Sequence, residues 1–266
     1  MSNPSRSRLE DAGGRRGGAF YDDPESFERY RQHRAWSLSP NAVMEGPALL
    51  EELGPVGGLR ILDLGCGDAQ VGRELLDAGA SRYLGIDGSH RMVDAAQRML
   101  EGTAGEVVRC DIEDFAWPEG SFDLVLSRMA LHYVADLGAV LRGCYRCLVP
   151  GGRLLLSVVH PVITSHDARG GSTEPRQNWV VDDYFLTGTR DQQWLGARIV
   201  WHHRTVEDYV SALLDAGFTL TGLRECAPRR ELFDDEAEYQ RRLRIPLVLL
   251  LSGARALVQS ARSSTR

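Results

Sequence analysis

The stretch Arg60-Ile-Leu-Asp-Leu-Gly-Cys-Gly-Asp68 decides how this chain folds. It predicts a buried strand that ends in a glycine-rich turn and leads into a helix. Gly65 and Gly67 carry no side chain, so the backbone can turn tightly and leave room for a ligand at the start of that helix. The next predicted strand ends at Asp87, 22 positions after Gly65, where a carboxylate can accept hydrogen bonds from ribose hydroxyls. The pattern predicts a site for a small molecule that contains adenosine.

Strands and helices alternate along the hundred residues around this stretch. The predicted strands are 59–64, 82–87, 106–110, 121–127 and 153–159. Apolar residues at helical spacing fill the segments between them, which predicts right-handed crossovers and a parallel sheet with helices on both faces. Ligands bind at the carboxyl edge of such sheets. The side chains expected at that edge are Asp63, Asp87, Asp111, Ser127 and His160.

The predicted core occupies residues 55–160 and is preceded by regions of a different character. Residues 19–54 predict a helical segment, with helices over 24–36 and 41–53, that covers the site. Residues 1–18 are rich in Gly, Ser and Arg and lack the apolar run of a secretory signal, so we expect a disordered tail there.

The pattern changes again after the core. Residues 161–204 hold several aromatic side chains but little periodicity, and long irregular segments of this kind are often lids or binding loops. We expect an inserted cap over the edge of the sheet. Residues 205–254 predict a helix and then two strands, over 218–224 and 246–252, that complete the core sheet. Residues 255–266 predict a C-terminal tail.

The composition is that of an ordinary globular protein. Hydrophobic residues make up 43% and charged residues 26% of the sequence, and the formal net charge is −6. The negative balance disfavours a broad nucleic-acid surface, and no apolar run approaches the roughly 20 residues that span a bilayer. The sequence contains no lysine, which excludes Schiff-base chemistry and a phosphate-binding P-loop lysine. We therefore expect neither a nucleic acid nor a membrane as partner.

The five cysteines show no spacing typical of a disulfide framework. Free thiols are usual in a reducing compartment, so we expect a cytoplasmic protein. Cys144 and Cys147 form a C-x-x-C pair, but the sequence has no second pair that would complete a zinc site. We therefore favour packing of the two side chains in the core over a zinc or redox site. We predict no metal site.

An ordered series of motifs covers residues 55–160. The motifs are Ile61–Gly67, Gly85-Ile-Asp-Gly-Ser89 with Met92, Asp111-Ile112, Phe122-Asp-Leu-Val-Leu-Ser127 with Ala130-Leu-His-Tyr133, and Leu148-Val-Pro-Gly-Gly152. In this order they resemble those of class I S-adenosylmethionine (SAM)-dependent methyltransferases, especially the group similar to the ubiquinone and menaquinone biosynthesis methyltransferases. The resemblance implies a Rossmann-like α/β fold: a seven-stranded, mostly parallel sheet with helices on both faces and an antiparallel last strand. It also implies SAM as cofactor and S-adenosylhomocysteine as product.

The resemblance implies ten cofactor-binding residues. They are Gly65, Gly67, Asp87, Gly88, Met92, Asp111, Ile112, Ser127, Tyr21 and Tyr30. By this resemblance Asp87 holds the ribose, Asp111 takes the adenine amino group, and the backbone around Ser127 meets the methionine amino group. Tyr21 and Tyr30 lie on a segment that in relatives folds over SAM, so either contacts the cofactor carboxylate or the substrate. Packing alone remains the alternative for Met92 and for the two tyrosines.

Two features separate this chain from neighbouring enzyme classes. A dinucleotide-binding dehydrogenase needs G-x-G-x-x-G, and the third glycine position is Gln70 here. Ala69 also stands where many similar methyltransferases have glycine, and alanine is small enough to be tolerated. Amino methyltransferases that act on nucleic acids carry an Asn/Asp-Pro-Pro-aromatic motif where this chain has Ser127-Arg-Met-Ala130. The sequence favours a small-molecule acceptor.

Methyl transfer needs few catalytic side chains, because holding the donor and acceptor in line supplies most of the acceleration. A general base helps when the acceptor must lose a proton, and imidazole titrates near neutral pH. The candidate bases are His160, His132 and His203. His160 and His132 follow the fifth and fourth predicted strands. For all three, a purely structural role remains open.

The aromatic residues of the predicted cap favour an apolar or aromatic acceptor. They are Trp179, Tyr184, Phe185, Trp194 and Trp201. Parts of residues 160–205 resemble a bacterial subgroup that includes natural-product methyltransferases, so we expect a methyltransferase of secondary metabolism. Two alternatives stay open: a C-methyltransferase of a prenyl or terpenoid chain with coupled cyclisation, and a SAM-binding partner or regulatory subunit without turnover. The acceptor atom (O, N or C) and a homo-oligomeric state are also left open.

Overall fold

A computed structural model describes residues 17–165 and 178–257 of the chain. The tails predicted over 1–18 and 255–266 lie almost wholly outside these ranges, as does part of the predicted cap. Within the ranges given, no helix combines the length and apolar character needed to cross a bilayer.

Seven of the nine strands in the described ranges form one sheet. The strands are β1 (Arg60–Leu64), β2 (Arg82–Asp87), β3 (Gly105–Arg109), β4 (Phe122–Arg128), β5 (Leu148–Val159), β6 (Gly188–Trp194), β7 (Ala197–His203), β8 (Thr219–Glu225) and β9 (Val248–Ala254). The large sheet has the order β3-β2-β1-β4-β5-β9-β8. β1 to β5 pair in parallel, and β9 runs antiparallel to both β5 and β8. This confirms the Rossmann-like, seven-stranded α/β fold with an antiparallel last strand.

Nine α-helices accompany the strands in the described part of the chain. They are α1 (Gly17–Tyr21), α2 (Pro24–Ala35), α3 (Gly46–Leu53), α4 (Gln70–Asp77), α5 (His90–Met99), α6 (Leu137–Cys147), α7 (Pro161–Thr164), α8 (Val206–Asp215) and α9 (Glu236–Arg242). Their starts follow capping rules: Ser89 Oγ accepts from the Met92 amide before α5, and Thr205 with Asp208 forms a capping box before α8.

Both faces of the sheet are covered. In β1, Leu62 and Leu64 face a buried cluster that includes α6 and α8, whereas Ile61 faces a cluster that includes α3, α4 and α5. The alternation follows from the two-residue period of a strand. Cys144 and Cys147 are fully buried in the first cluster. The core is thus divided by the sheet, and its polar edge is left free for a site.

The N-terminal segment differs from the single helix predicted over 41–53. A π-helical turn spans Asn41–Glu45 and only then does α3 begin. The amide of Gly46 bonds the carbonyl of Asn41, and Pro47 has no N–H to donate to the carbonyl of Val43. The proline therefore prevents a continuous α-helical hydrogen-bond pattern at this point.

The cap is more regular than the sequence indicated. Strands β6 and β7 form an antiparallel hairpin in which Trp194 pairs with Ala197. Its two-residue turn, Leu195-Gly196, has positive φ at both positions, as a type I′ turn requires. The expectation of an irregular segment was wrong for this part, because Leu-Gly lacks the asparagine or aspartate that usually marks such turns.

Candidate cofactor and acceptor site

A cavity of about 350 Å³ lies at the carboxyl edge of β1 to β4. Its floor comes from the turns that follow these strands, as expected for a parallel sheet. The other walls come from α1 and α2, from the segment before α3, and from the hairpin β6–β7. The volume is that of a small-molecule site.

Asp87, at the end of β2, closes the glycine turn. Its Oδ2 accepts a hydrogen bond from the amide of Gly67 at 2.9 Å, and its Oδ1 accepts from the amide of Ser89 at 2.9 Å. Burial raises the pKa of this carboxyl to about 6, although both amide hydrogen bonds favour the charged form. A carboxylate has lone pairs beyond these two bonds, so Asp87 can also accept from hydroxyls in the cavity.

Glycine is required around the cavity for different steric reasons at different positions. A Cβ on Gly65 would lie 2.4 Å from Cβ of Ala130, and a Cβ on Gly88 would lie 2.2 Å from Oδ1 of Asp111. Both positions therefore exclude a side chain. Gly67 has φ +58 and open space around it, because its nearest neighbours, Met92 Sδ and the Tyr30 hydroxyl, would lie 4.0 Å from an added Cβ.

Nine of the ten predicted cofactor-binding residues line the cavity. These are Tyr21, Tyr30, Gly65, Gly67, Asp87, Gly88, Met92, Asp111 and Ile112. Ser127 does not line it: its side chain is fully buried and Oγ donates to the carbonyl of Leu64 at 3.0 Å. The next three residues, 128–130, line the cavity in its place.

Three tyrosines meet above the glycine turn. The hydroxyls of Tyr21 and Tyr133 are 3.0 Å apart, and the rings of Tyr21 and Tyr30 pack edge to face at 5.0 Å. Burial raises the pKa of all three phenols, that of Tyr133 to about 12. They are therefore neutral hydrogen-bonding groups at physiological pH.

Of the three predicted histidines, only His132 lines the cavity. It lies in a short 3-10 turn after β4, next to Tyr133, and Trp201 packs edge to face on its ring at 5.4 Å. Burial lowers the pKa of His132 to about 3, and the neighbouring Arg204 and His202 lower it further. Its imidazole is neutral, able to hydrogen-bond and only weakly basic. We use the term aromatic wall for His132, Tyr133, Trp194 and Trp201, which all line the cavity.

The prediction for His160 requires correction. Its Nδ1 accepts from the amide of Val162 at 3.2 Å, which caps α7, and its Nε2 lies 3.0 Å from Oε1 of Glu225 on β8. Both ring nitrogens are occupied, and the side chain does not line the cavity. The arrangement gives His160 a structural role at the end of β5.

His203 is corrected for the same reason. It is fully buried, with Nδ1 2.7 Å from the Thr164 hydroxyl and Nε2 2.9 Å from the carbonyl of Tyr184. These bonds hold β7 to α7 and to the chain before β6. His203 does not line the cavity either.

Two residues at the site escaped the sequence analysis. Arg128, the last residue of β4, forms a buried ion pair with Glu45. The Glu45 carboxylate also accepts a hydrogen bond from the Ser157 hydroxyl at 2.7 Å. Burial would raise the pKa of the Glu45 carboxyl, but Arg128 and Ser157 reverse this and lower it. The strand-end position of Arg128 was a usable signal, whereas nothing local distinguishes Glu45. Among the described residues, no three potential ligands gather into a metal site.

Comparisons with known proteins agree with this geometry. Residues 62–156 match a family described as a methyltransferase domain. A solved SAM-dependent methyltransferase from Mesorhizobium loti is 37% identical, covers 79% of this chain and 97% of its own, and superposes with a TM-score of 0.74. An uncharacterized protein of Haemophilus influenzae is 29% identical over 78% of this chain and 85% of its own length.

A ubiquinone biosynthesis O-methyltransferase from Ralstonia nicotianae is 32% identical over 52% of this chain and 62% of its own length. The chain spans about half the length of several other curated methyltransferases that it matches.

The chain belongs to the SAM-dependent methyltransferases, as the motif order predicted. Its cofactor is SAM, and the residues around the cavity fit that molecule. Gly67 leaves open space beside Met92, and the half-buried carboxylate of Asp87 lies on the cavity surface.

Proposed function

We propose that this protein transfers the methyl group of SAM to an apolar or aromatic small molecule. The observation that carries the proposal is one continuous cavity that joins the glycine turn and Asp87 to the aromatic wall. Its volume suits small ligands, and helices α1 and α2 cover it, which disfavours a macromolecular acceptor. The name of the Ralstonia relative specifies O-methyl transfer, and we propose an oxygen as the receiving atom here as well.

SAM, when bound, supplies an electrophilic methyl group on a sulfonium. We propose that Asp87 holds its ribose hydroxyls, Asp111 and the Ile112 amide its adenine, and the glycine turn its methionine part. Met92, 2% exposed, offers an apolar surface beside the turn. Asp87 is held by the amides of Gly67 and Ser89 before any ligand arrives, so little ordering of this carboxylate accompanies binding.

The chain's main contribution to rate is positional. Holding two reactants in line contributes on the order of 7–11 kcal/mol. The aromatic wall and the half-buried Tyr21–Tyr133 hydroxyl pair exclude water and orient the acceptor. His132 is neutral because of its burial, so we propose that it holds the acceptor by a hydrogen bond and contributes little as a base.

The test is turnover with SAM and a panel of small aromatic and apolar hydroxyl compounds, followed by the release of S-adenosylhomocysteine. The Asp87→Ala variant serves as the background control. Acceptor-dependent release well above that control supports the proposal. SAM binding without release for any compound would instead favour a partner or regulatory subunit.

A further inference from the structure

Three polar atoms of the aromatic wall have no hydrogen-bond partner within residues 17–165 and 178–257. They are Nδ1 of His132 and the indole Nε1 atoms of Trp194 and Trp201, and all three atoms are buried. Buried polar groups are almost always paired, so an unpaired group at a cavity requires an explanation.

The three side chains form one cluster. The ring of Trp201 lies 5.4 Å from that of His132 and 6.3 Å from that of Trp194. Trp194 and Trp201 stand on the paired strands β6 and β7, and His132 comes from the turn after β4. The hairpin therefore brings two indoles to the strand-end turn that carries the imidazole.

The indole of Trp201 is directed toward the cavity's polar groups. It is near enough to the Tyr133 hydroxyl to lower the pKa of that phenol in the manner of a hydrogen-bond donor, although the contact does not meet the geometric criteria of a full hydrogen bond. The Tyr133 hydroxyl is already bonded to that of Tyr21. The indole N–H of Trp201 thus remains available beside this hydroxyl pair.

Other unpaired atoms in the described part of the chain differ in position. Asp191 and Arg204 each have one unpaired atom, and neither residue lines the cavity. Asp63 also has one and lines the cavity, but this is a single carboxylate oxygen, and the other oxygen accepts from the Tyr83 hydroxyl. Among the described residues, only the aromatic wall brings several unpaired atoms together on the cavity.

The chemistry of these atoms defines what they can bind. An indole N–H is a donor only, so its partner must accept a hydrogen bond. An ammonium group cannot do so, although aromatic rings by themselves attract cations. The Nδ1 of a neutral imidazole donates or accepts according to its tautomer. An oxygen atom satisfies all three groups.

We propose that Trp194, Trp201 and His132 form a binding site for an oxygen atom of the acceptor molecule, with both indoles as donors. This deepens the proposed function and rests on it, since it assigns the acceptor to the class of oxygen-bearing aromatic or apolar molecules. The same residues then select against protonated amines and against hydrocarbons of equal shape.

The test compares phenol and toluene, which have the same shape, with anisole, which adds a methyl group to the phenol oxygen. The full-length, ¹⁵N-labelled protein is first saturated with S-adenosylhomocysteine, and this binding is measured by calorimetry. Each compound is then titrated while the indole N–H signals are followed by NMR, with assignments from Trp→Phe variants. Phenol and anisole are expected to shift the signals of Trp194 and Trp201 and to bind about tenfold more tightly than toluene.

Trp201→Phe keeps an aromatic ring and removes the donor. In this variant the preference for phenol over toluene should fall to about twofold or less, with the affinity for S-adenosylhomocysteine retained. Trp36→Phe is the matched control, because Trp36 is 44% exposed and lies outside the cavity lining. It should keep the full preference.

Three results would overturn the inference: equal binding of toluene and phenol, an unchanged preference in Trp201→Phe, or no shift of either indole with phenol and anisole. The wild-type ligand series remains decisive if the variant does not fold. Failure to bind S-adenosylhomocysteine would refute the proposed function itself. Normal binding of that compound without an oxygen preference would overturn only the assignment of the aromatic wall.

Discussion

Arg128 Nε donates to Glu45 Oε1 at 2.9 Å, although the two residues are 83 positions apart in the sequence. Glu45 is fully buried and belongs to the π-helical turn, whereas Arg128 ends β4. The pair therefore attaches the N-terminal segment to the edge of the sheet, next to the cavity. Ser157 on β5 completes the contacts of the carboxylate.

Loss of Arg128 should destabilise the fold strongly. In Arg128→Met the Glu45 carboxylate stays buried without its cation, and we expect the free energy of unfolding to fall by about 3–5 kcal/mol in urea titrations. The double variant Glu45→Gln/Arg128→Met should recover most of this loss. Arg82→Met is the control, because Arg82 and Glu106 form an exposed pair for which the change should stay below about 1 kcal/mol. Equal effects of the two single variants would contradict the buried pair.

Asp63 should make the ligand-free protein less stable at neutral pH. Burial raises its pKa to about 6 against an ordinary value of 3.8, although the Tyr83 hydroxyl donates to Oδ2 at 2.7 Å. The folded state thus holds the proton more tightly than the unfolded state, and stability falls as pH rises from about 4 to 6.

Asp63→Asn removes this cost, so it should stabilise the protein by up to about 3 kcal/mol at pH 7 and have little effect near pH 4. Urea titrations at both pH values measure the difference. Asp94→Asn is the control, because Asp94 lies on the exposed side of α5, and it should leave the free energy of unfolding unchanged at both pH values. Lower stability of Asp63→Asn at pH 7 would refute the assigned ionisation.

Asp87 should control cofactor affinity and its pH dependence. Asp87→Ala removes the proposed hydrogen-bond acceptor of the ribose hydroxyls. It also leaves the amides of Gly67 and Ser89 without the carboxylate that accepts their hydrogen bonds. We expect affinity for S-adenosylhomocysteine to fall about 100-fold or more in calorimetry. In the wild type, affinity should weaken below about pH 6, where the carboxyl is protonated. Asp94→Ala should bind normally, and an Asp87→Ala affinity near that of the wild type would exclude this carboxylate from the site.

Ala69 should be a point of stored backbone strain. It precedes α4 with φ 55 and ψ 24, a left-handed conformation that glycine adopts without cost. Ala69→Gly should raise the free energy of unfolding by about 0.5–1 kcal/mol and the Tm with it. Ala95→Gly, inside α5, should lower stability by about 1 kcal/mol. A lower Tm for Ala69→Gly would show that the strain is absent.

Variants of His132 and His160 should distinguish a histidine that binds the acceptor from one that stabilises the fold. His132→Ala is expected to lower kcat/KM for the acceptor at least about tenfold while affinity for S-adenosylhomocysteine stays normal. His160→Ala should lose about 1–2 kcal/mol of stability, since α7 loses its cap and Glu225 its partner, but retain turnover per folded molecule. Steady-state kinetics with urea titrations distinguish the two. A large loss of turnover in His160→Ala would show that His160 takes part in the reaction.

The cofactor side of the cavity was predictable from the sequence because its determinants are local. Glycine positions, strand ends and a helix cap follow from neighbouring residues, so the sequence indicated that Gly65, Asp87 and Asp111 would lie at the strand-end cavity, which they line. The same reasoning predicted the sheet within a few residues of each strand end. The early start of β5, at Leu148, was missed because Pro150-Gly151-Gly152 is a bulge within the strand pairing and does not precede it.

The remaining wall of the cavity depends on contacts between distant segments. The sequence could not show that both ring nitrogens of His160 form hydrogen bonds, to the Val162 amide and to Glu225, since Glu225 lies 65 positions away. Nor could it show that β6 and β7 pair and carry two indoles toward His132. The alternating burial of β7 was readable in principle, but its turn residues gave no matching signal.

Helix α1 touches both halves of the cavity at once. Gly18 lies against the backbone of Gly88, so closely that a Cβ there would be 2.8 Å from it, and Tyr21 bonds Tyr133. A displacement of this five-residue helix would therefore open the glycine-turn side and the aromatic side of the cavity together. We expect access to both sides to depend on one movement of the N-terminal segment.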